Sequence, residues 1–271
     1  MKRPIRFLLL LGAWTGLVAC SSPLERDLKD GFSQVEQEHY RIALSTFERV
    51  LKRAPESDEA IAASKEAARV SVFELKDFKK AAFFNRHLVL HAKDPKIREN
   101  AQKQLAAIYF DNLNDYEKAV QEYSKLLAMP LPTAEWAKFK IALARSYFYM
   151  GQFKQAESEV DDLLKEKIEA VTKFSALNLK GNILVAQKQF STAAEIYKQL
   201  MRDFPERSRQ ENVALQLAVC YEENQDFRSA IQVLHDLKPG GSMSADYLEL
   251  RIKRLQERMR NQPGAKGFGR K

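Results

Sequence analysis

The sequence contains little of what interrupts a helix. Its 271 residues include only ten glycines, nine prolines and two cysteines. A β-sandwich or β-barrel of this length needs many more turn residues, so the composition favours helices. Two cysteines cannot build a disulfide framework. Apolar residues make up 45% of the chain, which is ordinary for a folded protein and argues against wholesale disorder.

The chain also lacks the short motifs of common enzyme classes: it has no nucleophile elbow, Walker A loop, HExxH, CxxC or dinucleotide fingerprint. The nearest approach to a metal site is His87 and His91, one helical turn apart, with Asp94 close in sequence. Zinc needs three or four ligands, so we interpret the pair as two exposed histidines on an outward helix face. Cys220 is interpreted as a buried, inert thiol rather than a reactive one. We expect no enzyme activity, no cofactor and no metal.

The first residues have the pattern of an export signal. Lys2, Arg3 and Arg6 precede a mostly apolar stretch, residues 7–19, which is too short to span a bilayer as a mature helix. The following sequence, Leu17-Val18-Ala19-Cys20, resembles the lipobox of bacterial lipoproteins. That resemblance implies a signal peptide over residues 1–19 and lipid chains, such as palmitate, on Cys20. The alternative is an ordinary signal peptide that happens to contain a cysteine.

The residues after the cysteine extend this interpretation. Ser21, rather than an aspartate, would be the second mature residue, and by resemblance to Gram-negative sorting this implies the outer membrane, facing the periplasm. Ser22 and Glu25, with Pro23 between them, fit a capping box with proline at the first helical position. Residues 20–23 therefore form a very short tether, with a reach of about 10 Å.

A short pattern, an aromatic residue followed three positions later by alanine, recurs six times along the rest of the chain. The alanines follow one another at spacings of 38, 38, 37, 37 and 37 residues, and they are Ala43, Ala81, Ala119, Ala156, Ala193 and Ala230. Positions four and seven residues after each alanine share its helix face. Twelve residues before the alanine comes a small residue in five copies, namely Gly31, Ala107, Ala144, Gly181 and Ala218, while the second copy has Arg69.

This unit resembles the tetratricopeptide repeat (TPR), a pair of antiparallel helices of about 34 residues. The resemblance implies an all-α TPR solenoid, a right-handed superhelix, with six repeats of 37–38 residues over residues 24–241. Residues 242–260 would be a capping helix and residues 261–271 a basic disordered tail. We expect the extra residues of each repeat where one repeat passes to the next. In this the chain is similar to bacterial cell-envelope TPR proteins, such as the TPR lipoprotein of the β-barrel assembly machine.

TPR proteins usually bind partners along the concave surface lined by their first helices. The family's partner-facing positions, carried onto this chain, give a candidate groove with basic and aromatic residues in repeat four beside paired amides in repeat five. Its residues are Gln104, Asp111, Asn112, Lys138, Arg145, Phe148, Tyr149, Asn178, Asn182, Glu222 and Glu223. The alternative is that this face is only solvated.

The formal net charge of +8 is distributed unevenly. The last 21 residues carry +7, and such a segment suits phosphate-bearing lipid head groups or another anionic partner. The plainer interpretation is the solvated side of a capping helix and a tail. We expect no nucleic-acid partner, because an exported lipoprotein rarely meets DNA.

The sequence therefore predicts a lipid-anchored periplasmic scaffold that binds other envelope proteins or their peptides. Its expected role is in outer-membrane protein assembly, secretion or envelope maintenance. A pilotin-like lipoprotein that escorts a secretin or pilus subunit is one alternative. A peptidoglycan-linked cell-division factor is another.

Overall fold

The computed structural model describes residues 22–237 and 244–261. Within these ranges 82% of the residues are helical and no strand occurs. The predicted signal peptide, Cys20 and the tail beyond residue 261 lie outside the described residues. The predicted all-α TPR solenoid fits what is described.

The chain divides into two compact units, residues 1–93 and residues 94–271. The first unit consists of two helix pairs, and each helix packs against the next along the chain. Its helices are α1 (Pro23–Glu36), α2 (Tyr40–Arg53), α3 (Asp58–Phe73) and α4 (Phe78–His91). Its core is built around Phe47 and Phe84, which are fully buried among small and aliphatic side chains.

In its described part, residues 94–237 and 244–261, the second unit contains four helix pairs, one short inserted helix and a final unpaired helix. The pairs are α5 (Pro95–Ala107, continued by a π-helical turn, Ile108–Asn112) with α6 (Tyr116–Leu127), α7 (Thr133–Tyr149) with α8 (Phe153–Lys165), α9 (Ala170–Ala186) with α10 (Phe190–Asp203), and α12 (Val213–Glu223) with α13 (Phe227–His235). The inserted helix is α11 (Pro205–Gln210), and the unpaired helix is α14 (Ala245–Arg260).

The recurring alanine lies where the two helices of each pair touch. All six alanines are completely buried. The residue four positions later, which lies on the same helix face, is also buried in every copy, whether it is aromatic, aliphatic or, in the second repeat, Asn85. Six copies of one buried contact explain why the spacing is visible in the sequence.

Each pair turns through one residue with a left-handed backbone, located five positions before the recurring alanine. The φ values range from 51° to 73°, and the residues are Glu38, Lys76, Asn114, Gly151, Lys188 and Gln225. In the fifth repeat the amide of Gln189, the next residue, donates to the carbonyl of Leu184 at 2.8 Å and closes the end of α9. The tight turn holds the two helices of a pair side by side.

The exception at Arg69 has a structural explanation. The last turns of α3 and of α5 each contain one extra residue, because Leu75 donates to Val70 and Leu113 to Ile108, five positions back instead of four. Counting back twelve positions from the alanine therefore stops one residue short of the packing position. Arg69 points outward, and the buried small residue of the second repeat is its neighbour Ala68.

The extra residue at the end of α5 likewise shifts the packing position of the third repeat, where the fully buried small residue is Ala106 rather than Ala107. Such an extra residue in each of these two repeats also accounts for the two spacings of 38 residues, since a turn that follows the i to i+5 pattern holds one more residue. The expectation that all extra residues fall between repeats is wrong for these two copies. In the fifth repeat, α11 does place extra residues between repeats.

The start of the first unit agrees with the sequence pattern. Ser22 Oγ accepts a hydrogen bond from the Glu25 amide at 3.1 Å, and the Ser22 amide donates to Glu25 Oε2 at 3.1 Å. With Pro23 as the first helical residue, this is the predicted capping box. Among the described helices, none combines the length and the apolar character needed to cross a bilayer.

Candidate partner-binding surface

Two of the predicted residues of the fourth repeat, Phe148 and Tyr149, lie in a cluster of aromatic rings at the turn end of the third and fourth helix pairs. Tyr149, at the end of α7, stacks on Tyr116 with ring centroids 4.9 Å apart and planes tilted by 24°. Phe110, in the π-helical turn, lies 6.0 Å from Tyr149, and Phe148 lies 5.7 Å from Phe153. We call these five residues the aromatic cluster.

The cluster is built by residues of four elements. The π-helical turn supplies Phe110, the first turns of α6 and α8 supply Tyr116 and Phe153, and the last turn of α7 supplies Phe148 and Tyr149. Tyr149 is 55% exposed although its face is stacked, so one side of its ring is available to a partner. A rigid tyrosine of this kind offers contact area at low cost in conformational entropy.

Charged residues lie on the same elements as the aromatic cluster. Arg145 and Lys138 are exposed on α7, and Asp111 is exposed on the π-helical turn. Burial, with a further contribution from the charge of Asp111, raises the pKa of Tyr123 to about 12, and the side chain of this tyrosine is buried. The exposed surface offers the cationic group of Arg145 on the helix that carries Tyr149.

The predicted amides of the fifth repeat have different environments. Asn182 accepts a hydrogen bond from the Tyr197 hydroxyl at 2.9 Å, and this bond supports the core ring. Asn178 donates to Glu211 Oε2 at 3.4 Å, while its own Oδ1 is buried and has no partner in the described part of the chain. Because this oxygen is buried, it is not exposed to a ligand in this arrangement.

The third repeat needs a correction of register. Because α5 carries its extra residue after Ala106, the position that aligns with Asn178 is Lys103 rather than Gln104. Lys103 lies 2.8 Å from Glu135 and joins α5 to α7. Asp111 and Asn112 follow the extra residue, so they keep their alignment and lie exposed beside the aromatic cluster.

Glu222, at the acidic end of the predicted groove, is paired with Arg251, a residue that the sequence analysis did not include in the groove. Glu222 accepts from Arg251 Nε at 2.9 Å and from Arg251 Nη2 at 2.5 Å. Arg251 belongs to α14, which the sequence treats only as a capping helix. Glu223 is exposed. The basic and apolar residues of α14 recur at spacings of three and four, and this pattern in the sequence could have indicated that they share one side of the helix.

The histidines considered as metal ligands and the cysteine considered as a nucleophile contribute to the packing of the fold. His87 is half-buried rather than exposed, and its Nδ1 is hydrogen-bonded to Ser64 Oγ at 2.8 Å, while its ring lies 4.7 Å from that of His91. No group of three potential metal ligands occurs among the residues described. Cys220 is fully buried as predicted, and burial raises the pKa of its thiol to about 11. A neutral thiol at this depth is a poor nucleophile.

Two segments of the second unit match models of the tetratricopeptide repeat, residues 141–208 and residues 184–251. These segments contain most of the helices that carry the candidate surface. No curated protein sequence matches the chain.

Several solved structures share the fold at low identity. A TPR protein from Parabacteroides merdae is 18% identical, with a TM-score of 0.52, over 86% of this chain and 87% of that one. The C-terminal part of a TPR protein from Cytophaga hutchinsonii is 18% identical, with a TM-score of 0.56, over 83% and 87%. PilW, described as a widely conserved type IV pilus biogenesis factor, is 17% identical, with a TM-score of 0.53, over 85% and 99%.

Proposed function

We propose that this chain, whose helix pairs are tetratricopeptide repeats, is a lipid-anchored periplasmic scaffold at the outer membrane. TPR proteins bind other proteins or peptides, and the repeats serve here to hold envelope proteins together during outer-membrane protein assembly, secretion or envelope maintenance. The anchor is the lipidated Cys20, and the short link to α1 keeps the first repeat close to the bilayer. The scaffold itself performs no chemistry.

The aromatic cluster is the observation that carries this proposal. The side chain of Tyr149 is more than half exposed, and one face of its ring stacks on Tyr116. Arg145 lies on the same helix as Tyr149. Tyrosine and arginine are the residues most often found where interfaces gain their affinity. An extended segment of a partner, with an apolar side chain against the rings and a backbone carbonyl or acidic group toward Arg145, fits this surface.

A photo-crosslinking amino acid at position 149, in intact cells of the source bacterium, tests the proposal. We expect mass spectrometry to recover envelope proteins covalently joined to the chain. Tyr149→Ala should weaken binding of the recovered partner by about 30-fold, the size of a hot-spot residue. Phe73→Ala is the matched control, because Phe73 is 70% exposed on the first unit, outside the cluster. Equal effects of the two variants would contradict a specific site.

The identity of the crosslinked partner also separates the candidate roles. A barrel-inserting protein supports assembly, and a secretin or pilus subunit supports the pilotin-like alternative. The latter is worth testing because PilW, with the same fold, is described as a pilus biogenesis factor. Crosslinks to cytoplasmic proteins alone would refute the periplasmic location.

A further inference from the structure

The final helix, α14, has two sides of different character. One side packs Leu248 and Leu255, both buried, against the core formed with α12 and α13. The neighbouring side carries an aromatic residue, an aliphatic residue and three arginines at spacings of three and four, which places them along one stripe. We call this stripe the basic flank, and it consists of Tyr247, Leu250, Arg251, Arg254 and Arg258.

The basic flank lines an open cavity of about 290 Å³. Two further residues complete the lining: Leu255, at the buried side, and Glu222, from α12. The cavity therefore lies between a first helix of the last helix pair and α14, on the side of α12 that includes the predicted groove residue Glu222. In this position α14 extends the partner-facing surface instead of only closing the repeat array.

The three guanidinium groups are held in different ways. Arg251 is paired with Glu222, as described above, and its Nη1 lies 3.5 Å from the Tyr247 hydroxyl. Arg258 lies over the ring of Phe227, 4.7 Å from its centroid. Arg254 is exposed, and no residue in the described ranges forms a hydrogen bond or an ion pair with it. Two arginines are thus fixed in place, and the third is free to take a ligand.

The charge of this cavity is unbalanced. Among the described residues, Glu222 is the only acidic one in the lining, and Arg251 already neutralises it. Arg254 and Arg258 remain without an acidic partner in the cavity, beside Tyr247 and Leu250, whose side chains are each 49% exposed. An occupant that complements these features carries carboxylates and at least one apolar side chain.

We propose that the basic flank binds an acidic segment of a partner protein, with carboxylates on Arg254 and Arg258 and an apolar side chain against Tyr247 and Leu250. This rests on the proposed scaffold function and adds the chemistry of one partner. All three basic residues of the flank are arginines, whose planar fork matches a carboxylate in two parallel hydrogen bonds. The site is recessed, which suits a peptide side chain better than a flat lipid surface.

The test measures binding of a labelled synthetic peptide to the purified full chain by fluorescence anisotropy. The probe contains several glutamates around one phenylalanine, and a matched peptide replaces each glutamate with glutamine. Arg254→Glu should weaken binding of the acidic peptide by about tenfold or more, since it turns an attraction into a repulsion. Lys253→Glu is the matched control, because it makes the same charge change one residue away, outside the cavity lining.

Three outcomes would overturn the proposal. The first is equal binding of the acidic and glutamine peptides, and the second is that Lys253→Glu weakens binding as much as Arg254→Glu. The third is that the chain does not bind the peptide but binds vesicles containing phosphatidylglycerol through Arg254, which would make the basic flank a lipid site. Leu250→Ser should weaken the acidic peptide but leave circular dichroism unchanged, since Leu250 is half exposed. Failure here leaves the crosslinking result at position 149 standing, so the two proposals fail separately.

Discussion

Two glycines show how residue size is matched inside the repeats. A Cβ atom added to Gly181 would lie 2.5 Å from Cε1 of Tyr197, and one added to Gly31 would lie 2.4 Å from Cε1 of Phe47. At Ala144, where the small position carries a Cβ atom, the residue of the second helix is the smaller Val160, whereas the third repeat combines Ala106 with Tyr123. At Gly31 and Gly181 it is the nearby aromatic ring, and not a left-handed backbone, that leaves no room for a Cβ atom.

Gly181→Ala should lower the free energy of unfolding by about 2 kcal/mol, because the buried ring of Tyr197 has no room to move away. Urea denaturation followed by circular dichroism measures the change. In a Tyr197→Val background, the same Gly181→Ala substitution should cost much less, since the methyl group then occupies space left by the ring. Equal costs in the two backgrounds would contradict the size match.

The pair of His87 and His91 makes the first unit sensitive to acid. Burial, and then the charge of neighbouring His91, lowers the pKa of His87 from 6.5 to about 4 in the folded chain. The unfolded chain takes up this proton at a higher pH than the folded chain does. Stability from this group is therefore complete above about pH 6.5 and is lost as the pH falls toward 4.

We expect the first unit to lose up to about 3 kcal/mol between pH 6.5 and pH 4 through His87, less what solvent screens at this half-buried site. Urea midpoints at a series of pH values give the measurement. His87→Gln should flatten the dependence over this window, whereas His235→Gln, at an exposed site at the end of α13, should not. A wild-type profile unchanged by His87→Gln would refute the assignment.

At the scale of the helix, the sequence predicted the repeats, but it did not predict the register of the first helix in the second and third repeats. The buried alanines stand out because the same contact is made six times. Arg69 looked like a poor packing residue because a fixed count assumes α-helical hydrogen bonds all the way, and the bonds of Leu75 and Leu113 depart from that pattern. No residue type marks such a turn, so only backbone geometry reveals it.

The turns and the last helix gave weak signals for similar reasons. Five of the six left-handed turn residues are not glycine, so the usual marker of such a backbone is absent except at Gly151. The candidate groove was found by analogy with the family, whose partner-facing positions lie on the first helices of the repeats and so do not include the capping helix. Arg251 and Arg254 were therefore counted only within a basic C-terminal segment, although their spacing places them on one flank of α14.

The extra residue in the third repeat yields a prediction at this scale. Deleting Asn112, which is exposed at the end of the π-helical turn, should restore α-helical geometry and keep both flanks of the turn in register. We expect cooperative unfolding and a loss of less than about 1 kcal/mol. Deleting Ala186, at the corresponding turn of α9, removes a residue that the register needs and should cost several times more. Equal losses would show that the turn is not a tolerated insertion.

Across the whole sequence, the excess of positive charge lies at the two ends of the chain. Residues 1–19 contain three of the positive charges and the last 21 residues a net seven, so the repeats between them carry a net charge of −2. A nearly neutral body with specific anchors suits a scaffold that must not bind every acidic surface it meets. The basic flank places part of the C-terminal charge on an ordered helix instead of a tail.

The short tether gives the last prediction. In the proposed lipid-anchored state, the capped helix α1 begins at Pro23, about 10 Å or less from the lipid. A glycine-serine linker of about 20 residues spans about 25 Å on average, so it frees the repeats from the membrane surface. Inserted between Ser21 and Ser22, it preserves the capping box, since Ser22 still precedes Pro23 and Glu25.

We expect this insertion to reduce crosslinking from position 149 in cells, because the short tether no longer keeps the chain close to the bilayer. Peptide binding by the purified chain and its urea midpoint should stay unchanged, since no described contact is altered. The same linker placed after Asn261 is the control, because it adds equal length at the other end of the described chain. Undiminished crosslinking with the Ser21 insertion would mean that the height of the repeats above the membrane does not matter for partner binding.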